Sequence, residues 1–76
     1  MCSTDKISEA QALVQNLSEL ELEFLRELTA GESQASIAAR LRLENAVALA
    51  VRELLLRKLG AEVTADAVRV GIYAGL

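Results

Sequence analysis

The side chains best suited to chemistry are four glutamates that lie close together in the first half of the chain. Paired carboxylates can hold a metal ion or exchange a proton with a substrate. The chain contains no histidine, no nucleophile is paired with a base, and no second helix supplies partner ligands for a metal. We therefore predict a solvated acidic helix face, with no metal site and no enzymatic activity. The four residues are Glu19, Glu21, Glu23 and Glu27.

The other features of the composition also exclude classes of function. The single cysteine, Cys2, can form neither an intramolecular disulfide nor a Cys-cluster zinc site. The longest apolar run, 46–51, is six residues long, whereas a membrane-spanning helix needs ~18. The N-terminus lacks the basic and apolar regions of a signal peptide. We expect a soluble, cytoplasmic protein with no cofactor, no membrane contact and no small-molecule substrate.

Charge is distributed unevenly along the chain. Residues 1–32 carry seven acids and two bases, whereas residues 33–76 carry six bases and four acids. The whole chain has a net charge of −3. An acidic chain is a poor general binder of nucleic acid, because neutralising phosphates requires clustered Lys and Arg. The basic second half leaves weak DNA binding open.

Helical signals dominate, and an aliphatic core with 3% aromatic residues suits packed helices. Ser18 and Glu21 have the spacing of a capping box, and Gly31 and Gly60 are natural helix stops. Ser3 or Thr4, Ser33 and Thr64 are the other expected caps. The fold class predicted is all-α, a small bundle in which an N-terminal helical extension (1–16) precedes a four-helix domain (17–76). The predicted helices cover about 5–15, from Ser18 to Gly31, 34–41, 45–59 and 64–74.

Several segments of 17–76 occur in the order and spacing of a known DNA-binding domain. They are Leu17-Ser18-Glu19, Glu21-Leu22-Glu23, Leu25, Ala30-Gly31, Ile37-Ala38-Ala39-Arg40-Leu41, Lys58-Leu59-Gly60-Ala61, and Ala65 with Ala67 and Val68. This series resembles the LuxR/FixJ-type (GerE-like) helix-turn-helix domain. The resemblance implies a bacterial-type transcriptional regulator that forms a homodimer through its last helix. Because the motif fills the chain, we expect a stand-alone protein without a receiver or ligand-sensing domain.

The helix aligned with the family's recognition helix departs from the family pattern. Glu44 stands where the family has Ser, Val47 where it has Thr, Leu49 where it has Lys and Val51 where it has His. Reading bases requires donors and acceptors aimed at their edges, and phosphate contacts require cations or hydroxyl groups. This helix offers few of either. The residues left as candidate phosphate contacts are Arg40, Arg42, Arg52, Arg57 and Lys58.

The outward face of this helix is instead unusually apolar. At about 100° per residue, the core side is expected to carry Ala48, Val51, Leu55 and Leu59. Exposed aliphatic patches usually mark interfaces, so we interpret the remaining face as a protein-binding or self-association surface, with Leu49 and Leu56 as its anchors. An alternative is that the N-terminal helix folds back and covers it. The predicted face consists of Ala46, Val47, Leu49, Ala50, Glu53 and Leu56.

The last helix is predicted to contribute a dimer contact, which the resemblance also implies. Its residues are Val68, Ile72, Tyr73 and Leu76, although Val68 and Ile72 could equally pack on the chain's own core. The favoured function is transcriptional regulation by protein contact, with another regulator or the transcription machinery as partner. The alternatives are a LuxR/GerE-type DNA-binding regulator and a purely structural helical dimer module.

Overall fold

The chain is all-α. The computed structural model describes residues 3–76, with side chains from Lys6 onward, so Cys2 lies outside the described residues. Within that range there are five helices and no strand. The helices are α1 (Ser3–Val14), α2 (Glu19–Thr29), α3 (Gln34–Leu41), α4 (Asn45–Leu59) and α5 (Thr64–Tyr73). No helix in residues 3–76 combines the length and apolar character needed to cross a bilayer.

The local signals explain where α2, α3 and α4 begin and end. The Glu21 backbone N–H donates to Ser18 Oγ at 3.2 Å, and the Ser18 N–H donates to Glu21 Oε1 at 2.8 Å, which confirms the capping box. Ser33 Oγ accepts from the Ser36 N–H at 3.1 Å and caps α3. Gly31 and Gly60 both have positive φ, as expected for residues that end helices.

The cap predicted for the last helix was wrong. Helix α1 is described from Ser3 onward, and the capping predicted for Ser3 or Thr4 lies outside the side chains that the structure describes. Helix α5 begins at Thr64, its N-cap is Val63, and no side chain caps it. The hydroxyl of Thr64 instead accepts a hydrogen bond from the Arg52 guanidinium at 3.1 Å. The Thr64 hydroxyl therefore bonds to a residue of another helix instead of capping its own.

The core lies where α2, α3, α4 and α5 meet. Its largest fully buried side chains are Phe24 and Leu25 of α2, Ile37 of α3 and Leu55 of α4. Helix α1 packs on α5 and on α4, and it buries Ala10 there. Its Leu13 and Val14 pack against the edge of the core. The N-terminal helix therefore covers α5 and one end of α4, and the outer face of α4 stays open.

Helices α2 and α5 approach each other closely at one point. Gly71 of α5 is buried, and a Cβ added there would clash with the Thr29 side chain of α2. Thr29 Oγ1 is itself fixed, because it donates to the Leu25 carbonyl at 2.8 Å. Position 71 therefore accepts no side chain unless the Thr29 hydroxyl gives up its bond to Leu25 or one helix moves.

We predict that Gly71→Ala lowers the free energy of unfolding by about 1–3 kcal/mol, because overpacking outweighs the better helix propensity of Ala. Chemical denaturation measures the change. Adding Thr29→Ala removes the hydroxyl in the way and should recover most of the loss. A Gly71→Ala protein as stable as the wild type would show that the helices do not meet as described.

Candidate functional site

The candidate site is the outward face of α4, and the chain before α4 sets where this helix starts. Helix α3 ends at Leu41, and its C-cap residue Arg42 adopts the left-handed conformation with φ of 58°. The Leu43 N–H then donates to the Ala38 carbonyl at 2.8 Å, which closes the turn. Glu44 precedes α4 without a side-chain cap. The two helices are thus joined by a short, hydrogen-bonded connection.

Most of the predicted interaction face is exposed. Val47 and Leu49 are each 42% exposed, and Ala46, Ala50 and Glu53 are also exposed. Leu54, which the predicted face omitted, is 42% exposed as well. On the helix surface Val47, Ala50 and Leu54 follow one another at spacings of three and four, so they form one continuous apolar stripe. We call these three residues the α4 stripe.

The structure corrects the prediction at Leu56. This side chain is only 8% exposed and belongs to the core with Ala48, Leu55 and Leu59. Val51, predicted to be core, is half-buried. The side of α4 that faces the core therefore lies farther around the helix axis than the sequence predicted, away from Val51 and toward Leu56. Leu49 and Leu56 are not a pair of exposed anchors.

Arg40, a candidate phosphate contact, lies between two carboxylates. Its guanidinium is 3.3 Å from Glu27 Oε1 and 3.7 Å from Glu32 Oε2. The side chain is largely exposed, so each pair contributes little to stability. The two carboxylates nevertheless neutralise the charge locally and would repel an approaching phosphate.

Lys58, another candidate phosphate contact, is partly exposed and is bonded to a buried carboxylate. Its Nζ donates to Glu21 Oε1 at 2.8 Å, and the Glu21 side chain is 4% exposed while that of Lys58 is 35% exposed. Burial by itself raises the pKa of Glu21. The Lys58 hydrogen bond and charge, together with the Ser18 bonds, outweigh it, so the pKa lies below its ordinary value. Lys58 therefore neutralises an internal carboxylate.

The other three cations differ from one another. Arg52 is half-buried, its Nη1 donates to Thr64 Oγ1, and its buried Nε has no hydrogen-bond partner. Arg42 and Arg57 are exposed, and neither forms an ion pair within residues 6–76. Of the five candidate phosphate contacts, these two alone point to solvent without a partner among the described side chains.

The predicted dimer residues of α5 are mostly engaged within the chain. Val68 and Leu76 pack against the core, and Tyr73 is half-buried with Lys6 Nζ 5.9 Å from its ring centroid. Tyr73 also lines a cleft of about 270 Å³ between α1, α5 and the end of α4. Ile72, at 62% exposed, is the one residue of the four that is largely open to solvent.

The acidic residues of α2 do not form a joint site. Glu21 pairs with Lys58, Glu23 with Arg26 at 2.9 Å, and Glu27 with Arg40. In the described part of the chain no group of three or more acidic, cysteine or histidine residues is arranged to hold a metal ion. Sequence reasoning missed Lys58 and Arg40 as partners, because they come from helices distant along the chain, whereas Arg26 lies in α2 itself, three residues from Glu23.

Comparison with known proteins adds no assignment: no protein-family model matches the chain, and no curated protein matches it. What the chain does must therefore be argued from the α4 face and the engaged cations.

The exposure of α4 predicts opposite outcomes for one substitution at two positions. Leu49→Lys should change the free energy of unfolding by less than about 1 kcal/mol, because the ammonium reaches water. Leu56→Lys should cost about 3 kcal/mol or more, because it places a charge in the core. Thermal unfolding of both variants measures the difference. Equal large losses would mean that Leu49 is core after all.

A second prediction concerns Glu21 and Lys58. Lys58→Met should lower the free energy of unfolding by about 2 kcal/mol at pH 7, because it leaves the buried Glu21 carboxylate without its cation. The loss is smaller than for a fully buried pair, because the Lys58 side chain is partly exposed. The folded-state pKa of Glu21 lies below its ordinary value of 4.5. The stabilisation that the Glu21–Lys58 pair provides is therefore complete above pH 4.5, and it is lost as the pH falls through the folded-state pKa of Glu21.

Denaturation curves at several pH values check this. The difference between wild type and Lys58→Met should shrink as Glu21 becomes protonated in acid. Arg57→Met, at the neighbouring exposed cation, is the matched control and should stay within about 0.5 kcal/mol of wild type. A difference that is the same at every pH would mean that the ion pair is not its cause.

Proposed function

We propose that this protein regulates transcription by protein contact through the outward face of α4, and that it does not read a DNA sequence. The single observation that carries the proposal is the character of that face. Val47 and Leu54 are each 42% exposed along one border of that face and Leu49 is 42% exposed along the other, where a DNA-reading helix would present polar side chains and cations.

The positions of the cations support the same proposal. Specific DNA binders make several phosphate contacts with Lys and Arg, and each contact contributes to affinity. Here Lys58 neutralises a buried glutamate, Arg40 lies beside two carboxylates, and Arg52 is bonded to Thr64. Arg42 and Arg57 are too few to hold the protein on a duplex at physiological salt.

The exposed apolar side chains favour a protein partner. Burying a leucine-sized side chain contributes about 1.5–3 kcal/mol relative to leaving it in water. A few such side chains usually supply most of the energy of an interface. An α-helix presenting such a stripe fits another helix or a groove lined with apolar residues. The LuxR-type resemblance of 17–76 makes a second regulator or the transcription machinery the class of partner to test.

A fluorescence polarisation titration with genomic DNA fragments tests the DNA half of the proposal. Binding should be weak, independent of sequence, and lost as salt rises with a log–log slope of about −2, as two phosphate contacts predict. Changing Arg42 and Arg57 together to Gln should remove this residual binding. Arg40→Gln is the control and should change it less, because Glu27 and Glu32 already offset its charge.

A different result would overturn the proposal. A footprint on one defined site at physiological salt, lost in a variant of Asn45 or Arg52, would mean that α4 reads DNA. In that case the exposed apolar side chains of α4 would not form a binding surface for another protein.

A further inference from the structure

We propose that α1 is a strap that opens as a unit, detaching from α4 and α5 while residues 17–76 stay folded. The proposal goes beyond the function proposed for the outward face of α4, because it concerns the surface that α1 covers. Three observations carry it: the few contacts that hold α1, the cleft that lies beneath it, and a core to which α1 contributes no buried side chain.

Helix α1 is attached to the rest of the bundle mainly by small apolar contacts. Ala10 is its one buried side chain among those described, and Leu13 and Val14 are only partly buried. Within the described part of the chain, no hydrogen bond or ion pair joins α1 to another helix. The Lys6 ammonium lies 5.9 Å from the Tyr73 ring centroid, and a cation–π contact is weak at an exposed site. Little free energy therefore opposes detachment.

The packing beneath α1 is also incomplete. A cleft of about 270 Å³ lies between α1, α5 and the end of α4. Its apolar lining includes Leu13 of α1, Leu59 of α4 and Val70 of α5. Side chains that line a gap have no partner atoms on one side and lose dispersion energy there. The contact between α1 and its neighbours is therefore weaker than a close-packed one of the same extent.

The core of the bundle is complete without α1. Among the described side chains, its buried members all come from α2, α3, α4 and α5. The polar bonds between helices lie in the same part of the chain, where Glu21 binds Lys58 and Arg52 binds Thr64. Detaching α1 would leave these contacts in place. Elements with few buried apolar contacts are the ones that open locally while the rest of a protein stays folded.

Opening would change the surface of the molecule at one place. Leu59 and Val70 line the cleft and Tyr73 is half-buried beside it, so detachment of α1 exposes all three to solvent. The α4 stripe is exposed with α1 in place. The chain therefore has one apolar surface that is always open and a second that is open only when α1 detaches. A detached α1 also loses its helical structure, because an isolated helix of 12 residues is marginal in water.

Native-state hydrogen exchange of the full chain, measured residue by residue, tests the proposal. The amides of residues 8–14 should share one protection factor, which should be lower than those of Phe24, Leu25 and Leu55 by about a hundredfold or more. Low concentrations of denaturant should hardly change it, because opening of α1 exposes little surface.

Two results of this measurement would overturn the proposal. Equal protection in α1 and α2 would show that α1 opens only when the whole bundle unfolds. Protection that rises steadily from residue 8 to residue 14 would show that α1 frays from its free end instead of opening as a unit.

Two alanines of α1 provide a matched pair of variants. Ala10 is buried and Ala12 is exposed, so Asp lowers helix propensity at both positions but places a charge in the covered contact only at position 10. Tyr73 is the only tyrosine and the chain has no tryptophan, so tyrosine fluorescence reports on the covered surface. Ala10→Asp should raise the acrylamide quenching of Tyr73 toward that of a free tyrosine, and Ala12→Asp should leave it unchanged.

The same variants show whether the rest of the bundle is independent of α1. In Ala10→Asp the helical circular dichroism should fall by the share of one 12-residue helix, while the amides of Phe24 and Leu25 remain the slowest to exchange. Equal quenching in the two variants would mean that α1 does not cover Tyr73 in solution. Loss of the slow amides in Ala10→Asp would mean that the core needs α1. Either result rejects the strap.

Discussion

The carboxylate of Glu21 fixes how the helix with the candidate site lies in the bundle. It accepts from the Ser18 backbone N–H at the start of α2 and from Lys58 near the end of α4, both at 2.8 Å. Because the carboxylate is buried, losing the Lys58 bond leaves a negative charge in the fold without its cation. Lys58 follows Leu54 by one helical turn and therefore lies on the same side of α4 as the α4 stripe. Its bond to Glu21 ties that border of α4 to the start of α2.

The Glu21–Lys58 pair is one of several ion pairs between the acidic first half of the chain and its basic second half. The acids of the first half pair with cations of the second: Glu21 with Lys58, and both Glu27 and Glu32 with Arg40. Lys58 and Arg40 are thereby engaged in joining α2 to α4 and to α3. Arg42 and Arg57 remain exposed without an ion pair within residues 6–76. The exposed aliphatic side chains of α4 gain free energy only by leaving water.

Much of the fold could be predicted because its signals are local. The Ser18 capping box, the glycines at 31 and 60, and the bounds of α3 and α4 depend on residues within one turn of each other. The failures have tertiary causes. Thr64 looked like a cap, but its hydroxyl serves Arg52. Leu56 looked peripheral by helix periodicity, yet it is buried while Val51 is only half-buried, because the packing of α2 and α5 rotates α4 in a way that periodicity does not record. The ion pairs of Lys58 and Arg40 join residues far apart in sequence, so no local spacing could have indicated them.

The placement of α1 decides which apolar surface remains for a partner. Folded back, this helix could have covered either α4 or α5, and its contacts lie mainly with α5. It buries Ala10 there and brings Lys6 over Tyr73. A surface already covered by the chain's own helix contributes little further burial when a second protein arrives. The α4 stripe has no such cover within the described residues, so burying it would remove exposed apolar area from water. The contacts of α1 therefore leave Ile72 of α5 and the α4 stripe as exposed apolar surface.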